Sequence, residues 1–342
     1  MPEFRQNMIT KDWVIIATER AKRPEDFRAK RERPAPPLRR SESCPFCPGN
    51  EHLTPPESFR IERDGQWRVR VVPNKFAPLQ DTLYSQRQQV GRFLKVEGYG
   101  MAEVIVETPR HDLSLAVLTE DHVHDVVRAY VARYRELTRR DRIALVTLFC
   151  NHGAQAGTSL EHPHSQIIAT PIVPPEFRDQ LFKSQVSTDT YGSCVYCEII
   201  IEEMTQAVRV VELSDHFVVI CPFASGMPFE IRIYPRRHSS SFGAITDPEA
   251  LDLARVLRRS LLRLHLGLGD PDYNFVIRSA PTDELEVKFY HWYIILRPRL
   301  TTPAGFEMGT GIYINTTLPE RCADFLRAVN LCQDQTSMDF GN

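Results

Sequence analysis

His162-Pro163-His164-Ser165-Gln166-Ile167-Ile168-Ala169 is the stretch that decides how this chain is read. Side chains alternate across a strand, so a strand here lines His162, His164 and Gln166 along one face. Two imidazoles and a carboxamide make a poor core surface and a good phosphoryl-handling one. Pro163 has no backbone N–H to give, which puts the segment at a strand start or an edge. Upstream, Ile143–Phe149 reads as a buried strand that leads into Asn151-His152-Gly153.

Working outward, the same order of features occurs twice. Cys194-Val195-Tyr196-Cys197 echoes Cys44-Pro45-Phe46-Cys47, and Pro235-Arg236-Arg237-His238 echoes Pro109-Arg110-His111. His291-Trp292-Tyr293-Ile294-Ile295 then echoes the opening stretch. A helical period runs from about Thr119 to Arg139, with Val123, Val126, Val127, Tyr130, Val131 and Tyr134 on one face. A second helix, about Glu249 to Leu266, holds the corresponding place later. Strand-like alternation marks Trp67–Val72 and Ala102–Glu107. The polar stretch 184–193 reads as a linker, dividing the chain into units 1–185 and 186–342. The expected class is α+β: two tandem, duplicated units, each a mixed or antiparallel sheet with one long helix.

Composition excludes several classes. The 342 residues are 42% hydrophobic and 25% charged, ordinary for a soluble globular chain long enough for two domains. A net charge of -2 gives no reason to expect nucleic acid or a membrane surface as partner. No apolar run reaches membrane length, and Met1-Pro2-Glu3-Phe4-Arg5-Gln6 lacks a secretory core, so a cytoplasmic location is expected. Eight cysteines in that setting read as thiols or metal ligands rather than a disulfide framework. Residues 21–42, dense in Arg, Lys, Pro and Glu, read as an extended polar segment.

A Cys-x-x-Cys turn brings two thiolates onto one tetrahedral cation. Cys44 and Cys47, completed by His111 and His162, form one candidate site; Cys194, Cys197, His238 and His291 form a second in the same order. Both are closed four-ligand sets, hence structural, and mixed thiolate and imidazole favour zinc over iron. Where the first unit has His164 the second has Tyr293, which singles out His164 for chemistry. Held two residues beyond a metal ligand, a neutral imidazole can attack phosphorus and pass the group on. Gln166 and Ser159, with loop glycines Gly153 and Gly157, can meet the phosphoryl oxygens. Asn151 is a candidate to orient the nucleotide, although Asn151 and Ser159 also suit ordinary turns. His122 and His124 read as surface histidines, and Arg297 and Arg299 as groups able to meet an anionic sugar phosphate.

These motifs resemble the galactose-1-phosphate uridylyltransferase branch of the histidine-triad superfamily. The likeness runs through Cys44–Glu51, Val72–Pro78, Pro109–His111 and Asn151–Gln166. It implies that His164 carries the nucleotidyl group in a ping-pong cycle and that Gln166 and Ser159 contact the phosphoryl group. It also implies that Asn74 and Phe76 lie by the nucleoside, that zinc occupies the first site, and that the active site is built across a homodimer. The chain departs from the familiar members at Ser165, where they have Gly or Cys, and at His291-Trp292-Tyr293, where they have His-x-His. Residues 299–315 are closer to a sister group similar to plant ADP-glucose phosphorylase.

The leading expectation is transfer of a nucleoside monophosphate from a nucleotide sugar to a hexose 1-phosphate, of the UDP-glucose–hexose-1-phosphate uridylyltransferase type. The alternative within enzymes is an adenylyl transferase using inorganic phosphate, and a dinucleoside polyphosphate hydrolase is a third. A zinc-scaffolded binding protein without turnover is opposed by the intact His164-Ser165-Gln166. A zinc-finger nucleic-acid binder is opposed by the long ligand spacings and the acidic balance.

Overall fold

A computed structural model describes residues 1–17, 27, 38–82 and 86–334. Most of the polar segment 21–42 lies outside the described residues. A separate three-stranded sheet is formed by β1 (Glu3–Gln6) and β2 (Trp13–Ile16) near the start together with β15 (Tyr313–Asn315).

The first half contributes β3 (Phe59–Arg63), β4 (Gln66–Pro73), the hairpin β5 (Arg87–Val90) and β6 (Phe93–Val96), β7 (Met101–Val106), α1 (Glu120–Thr138), β8 (Leu145–His152) and β9 (His164–Thr170). Next come α2 (Pro175–Tyr191) and α3 (Val195–Gln206). The second half gives β10 (Val210–Leu213), β11 (Phe217–Ile220), β12 (Ile231–Pro235), α4 (Asp247–Leu268), β13 (Tyr273–Arg278) and β14 (Tyr293–Pro298). α5 (Gly305–Thr310) and α6 (Pro319–Ala328) flank β15.

One ten-stranded antiparallel sheet runs β10-β11-β12-β14-β13-β8-β9-β7-β4-β3. From each edge inward the two halves have the same permutation: β3-β4-β7-β9-β8 and β10-β11-β12-β14-β13. They meet at β8 and β13, where Asn151 lies opposite Asn274 and Phe149 opposite Val276. The chain is therefore α+β around a single large sheet, not two separate bodies.

Helices α1 and α4 cover one face together. In α1, Val123, Val126, Val127 and Tyr130 are fully buried, following the period read from sequence. Burying each such side chain stabilises the fold by about 1.5–3 kcal/mol. The Thr119 hydroxyl caps α1 by accepting from His122 N at 3.3 Å. A capping box at Thr246 and Glu249 starts α4, and Gly269 at φ +73° ends it.

The opposite face differs between the halves, and here the linker reading is corrected. Residues 184–193 are not a linker: α2 extends to Tyr191, and Ser184 is fully buried with its hydroxyl donating to Gln180 O at 2.8 Å. With α3, α2 packs Phe177 and Leu181 against Tyr196, Tyr290 and Tyr293 and so covers the second half. Polarity misled the reading, because a helix that buries only one narrow stripe leaves most of its length polar. No helix among the described residues is long and apolar enough to cross a membrane.

Candidate active site

Two Cys2His2 groups are assembled, one per half. In each, the four ligand atoms all lie within 4.8 Å of one another. In the first, His111 Nδ1 lies 3.4 Å from Cys47 Sγ, and His162 Nδ1 lies 3.6 Å from that sulfur and 3.3 Å from His111 Nδ1. Metal–N bonds of about 2.0–2.1 Å and metal–S bonds of about 2.3 Å in a tetrahedron require N···N edges of roughly 3.3 Å and S···N edges of roughly 3.6 Å. The residues present therefore fit a tetrahedral cation. His162 Nε2 donates to Thr108 O at 2.8 Å, which leaves Nδ1 as a lone pair. Burial holds this ring neutral, its pKa pushed down to about 4.

The second group repeats the first. His238 Nδ1 is 3.3 Å and His291 Nδ1 3.8 Å from Cys197 Sγ, and His291 Nε2 donates to Pro235 O at 2.8 Å. Thr108 and Pro235 each stand three residues before a ligand histidine, so the supporting bond is repeated as well. Cys194 occupies the N-cap position of α3, where the helix end favours a thiolate.

The strand reading of the opening stretch holds from His164 onward. Pro163 stands just before β9, so it marks a strand start. The edge alternative fails, because β9 lies between β7 and β8 in the middle of the sheet. His162 does not share a strand face with His164: it precedes the strand and turns to the Cys2His2 group. His164 and Gln166 do share one face, with Val106 opposite the first and Val104 opposite the second.

His164 is 7% exposed, and its Nδ1 sits 2.8 Å from the carbonyl oxygen of His162. A carbonyl only accepts, so Nδ1 carries the proton and Nε2 keeps its lone pair. Burial lowers the pKa, so the ring stays neutral. Phe46 packs beside it, ring centroids 5.5 Å apart, which ties the Cys-x-x-Cys turn to the imidazole.

On the far side of β9, Ser165 points to the helical layer. Its hydroxyl donates to Glu107 Oε1 at 2.5 Å, and Tyr130 OH donates to the same oxygen at 2.7 Å. Glu107 is 2% exposed, and burial pushes its carboxyl up to about 7. His122 is no surface histidine: its Nε2 lies 2.8 Å from Glu107 O and 3.2 Å from Arg68 O, and burial lowers its pKa. Sequence reading missed Glu107, although an acid ending the apolar run Val104-Ile105-Val106 was a signal.

The loop after β8 is clamped from the second half. Asp272 Oδ2 accepts from Gln155 N at 2.6 Å. A Cβ at Gly153, where φ is +84°, would meet Asp272 Oδ1 at 2.0 Å, so only glycine fits. Asn274 Nδ2 donates to Asn151 Oδ1 at 2.7 Å and to Ala156 O at 2.9 Å. His152 stacks on Tyr273, ring centroids 4.6 Å apart, and its Nε2 lies 3.2 Å from Asp270 Oδ1. Asp272, Tyr273 and Asn274 lie over a hundred residues away in sequence, and sequence reading did not find them. Ser159 lies exposed on the same loop, after Gly157.

Asn74 and Phe76 sit elsewhere on the sheet. Asn74 N donates to Ala102 O, and Ala102 lies opposite Ile168, so Asn74 is at the far end of β9 from His164. Its side chain accepts from Phe76 N at 3.0 Å, and the Phe76 ring is 86% exposed. A cavity of about 880 Å³ lined by Asn74, Gln80, Tyr99, Glu103 and Arg133 opens there, away from His164.

A buried histidine with a free Nε2, set beside a Cys2His2 group on an antiparallel α+β sheet, is a site at which an imidazole can take up a phosphoryl group. The galactose-1-phosphate uridyl transferase N-terminal domain matches residues 1–174, and a domain of unknown function (DUF4921) matches 107–340. The chain belongs to the galactose-1-phosphate uridylyltransferase family. It is 37% identical to an ADP-glucose phosphorylase of Arabidopsis thaliana over 96% of this chain and 93% of that protein. It is 28% identical to a galactose-1-phosphate uridylyltransferase of Thermotoga maritima over 96% of this chain and 98% of that protein. Among solved structures, an Arabidopsis thaliana ADP-glucose phosphorylase with bound ADP-glucose superposes with a TM-score of 0.81 at 34% identity, covering 96% of this chain and 100% of that one.

Proposed function

We propose that this protein transfers a nucleoside monophosphate from a nucleotide sugar to a phosphate acceptor through a covalent nucleotidyl-His164. His164 Nε2 attacks the α-phosphorus; the N–P bond forms as the bond from that phosphorus to the bridging oxygen breaks, and the sugar 1-phosphate leaves. An oxygen of the acceptor phosphate then attacks the same phosphorus and the N–P bond breaks, returning neutral His164. The leaving group is itself a phosphate in both directions, so no strong general acid is required. The observation that carries this reading is the 2.8 Å bond that fixes the proton on Nδ1. Gln166 and Ser159 are proposed to contact the phosphoryl oxygens, and Asn151 and Gly153 to shape the loop beside them.

We take the donor to be ADP-glucose and the acceptor inorganic phosphate, the alternative set out above rather than its uridylyl counterpart. The greater identity to the ADP-glucose phosphorylase, 37% against 28%, supports this order. Ser165, bonded to Glu107, supports it too, since the familiar uridylyltransferases have Gly or Cys there. Asn74 and Phe76 are proposed nucleoside contacts, with the exposed Phe76 ring suited to stacking on a base.

Zinc is proposed for both groups: Cys44, Cys47, His111 and His162 in the first, and Cys194, Cys197, His238 and His291 in the second. A closed four-ligand zinc supplies rigidity and leaves no coordination position for substrate. We also infer that the two strand sets, β3-β4-β7-β9-β8 and β10-β11-β12-β14-β13, arose by duplication, with α2 running across the 185/186 boundary expected from sequence; their shared strand permutation supports this. A homodimer and a cytoplasmic location complete the proposal on the family's pattern.

Intact-mass measurement after brief exposure to ADP-glucose or UDP-glucose without acceptor tests the reading. An added AMP mass, absent in His164→Ala, is expected. An added UMP mass instead moves the chain to the uridylyl reaction, and no adduct with either donor overturns covalent nucleotidyl transfer from sugar nucleotides.

A further inference from the structure

The antiparallel register extends a single row of polar side chains across the seam of the sheet. Asn151 lies opposite Asn274, and Asn274 lies opposite Arg297. Continuing the β8–β9 register from Phe149 opposite Gln166 brings Asn151 beside His164. The nucleophile's row thus runs into the second half, and two arginines, Arg297 and Arg299, stand at its end.

Those arginines are in different electrostatic states. Arg297 Nε lies 3.2 Å from Glu230 Oε2, so that cation is held against a buried carboxylate, which it shares with Arg232. Arg299 has no carboxylate partner among the described residues. Its Nε donates to Asn274 Oδ1 at 2.5 Å, and its backbone N donates to Asp272 O at 2.6 Å. Asn274 is a neutral amide, so it orients the guanidinium without cancelling the charge. The same Asn274 holds Asn151 and the Ala156 carbonyl, which places Arg299 against the glycine loop beside the nucleophile.

We propose that Arg299, oriented by Asn274, is the binding group for the acceptor: a phosphate dianion, either inorganic or as a sugar 1-phosphate. Two strand spacings separate His164 from Asn274, about 10 Å. The Arg299 guanidinium is thus tied, through Asn274 and Asn151, to the strand row that carries His164. The terminal guanidinium nitrogens match phosphate oxygens in spacing and donor geometry. The acceptor's role in turnover rests on the nucleotidyl-transfer reading, whereas the binding site itself does not. In sequence terms, the second half lost the nucleophile at Tyr293 and supplies the acceptor's cation instead.

Calorimetric titration with inorganic phosphate, and separately with glucose 1-phosphate, tests this on the intact protein. Arg299→Gln is expected to weaken binding by roughly 10-fold or more, and Arg299→Lys to retain part of it. Arg255→Gln, which removes an equal charge from the helical layer, is expected to bind as wild type does. Binding of one titrant alone identifies the source of the phosphate and supports the site. Wild type binding neither, or Arg299→Gln binding both as tightly as wild type, overturns it. The mass adduct on the same proteins keeps the two readings apart. An adduct with phosphate binding unchanged in Arg299→Gln sinks only the subsite; no adduct with binding lost in Arg299→Gln sinks only the transfer reaction.

Discussion

The carbonyl oxygen of His162 lies 2.8 Å from Nδ1 of His164, so a member of the Cys2His2 group fixes the tautomer of the residue two positions on. The ring of His162 is turned away to the metal-binding cluster while its peptide faces the nucleophile. A cation held by Cys44, Cys47, His111 and His162 would therefore act on the chemistry through the backbone, as rigidity rather than as a Lewis acid.

Metal loss at the two sites is expected to separate stability from activity. Cys47→Ser should halve the metal content and cut nucleotidyl-His164 formation by about 10–100-fold, as disturbed support around a metal site does. Cys197→Ser should halve the metal content too, with most adduct formation retained, since its cluster lies in the other half. Metal analysis paired with adduct mass checks this; equal losses in both variants refute the assignment.

Adduct formation should resist acid. Protonation of Nε2 removes the attacking lone pair, and burial depresses the His164 pKa below the ordinary 6.5. The pH at which the rate falls by half should therefore lie below the ordinary histidine value. Half-loss at the ordinary value in a pH–rate profile would contradict this.

Glu107 gives a pH dependence of opposite sign in stability. Its carboxyl is raised from 4.5 to about 7, so the folded state holds a proton that the unfolded chain releases in that window. The group's stabilising effect is full below 4.5 and lost as pH rises through about 7. Glu107→Gln, which keeps an acceptor for Tyr130 and Ser165, should gain on wild type over that range, by about 3 kcal/mol at most. Melting curves at both ends of the window decide it; a constant difference between the proteins refutes a buried, protonated carboxyl.

Two glycines in one loop should respond differently to alanine. Gly157→Ala has φ +88° but nothing within 4 Å of the new Cβ, so it costs only backbone strain, about 1 kcal/mol. Gly153→Ala adds a collision with Asp272, held in place by Gln155 N, and should lose several kcal/mol or displace the loop. Denaturant midpoints and adduct formation, both lower in Gly153→Ala, are the readout.

Removing Gln180 should destabilise without touching chemistry. Its amide donates to Tyr196 OH and Tyr293 OH, both at 2.9 Å, and its oxygen accepts from Arg278 at 2.9 Å. Gln180→Leu strands two buried tyrosine hydroxyls at about 1–3 kcal/mol each, in part non-additively, and frees the half-buried Arg278. Adduct formation measured well below the melting point should match wild type.

The local sequence was enough for features that depend on neighbours in the chain. The period of Val123, Val126, Val127 and Tyr130 predicts α1, and the spacing of Cys44 and Cys47 predicts a metal-binding turn, because both follow from a few bonds' geometry. Recurrence of the order Cys, Cys, His, His predicted the second cluster, and the absent imidazole at Tyr293 pointed to His164. The polar stretch before Cys194 could not be read as α2, since what makes it helical is a tyrosine-lined surface supplied by distant strands.

By itself, then, the sequence determined α1, α4 and the two candidate metal-ligand sets, and it singled out His164, all written in short-range spacing. Only the tertiary structure decided which atom of His164 is free, how Glu107 lies beneath it, and that Asn274 and Arg299 from the far half stand beside its loop. These depend on strand order and register, which are fixed by the packing of the whole sheet and not by any segment within it.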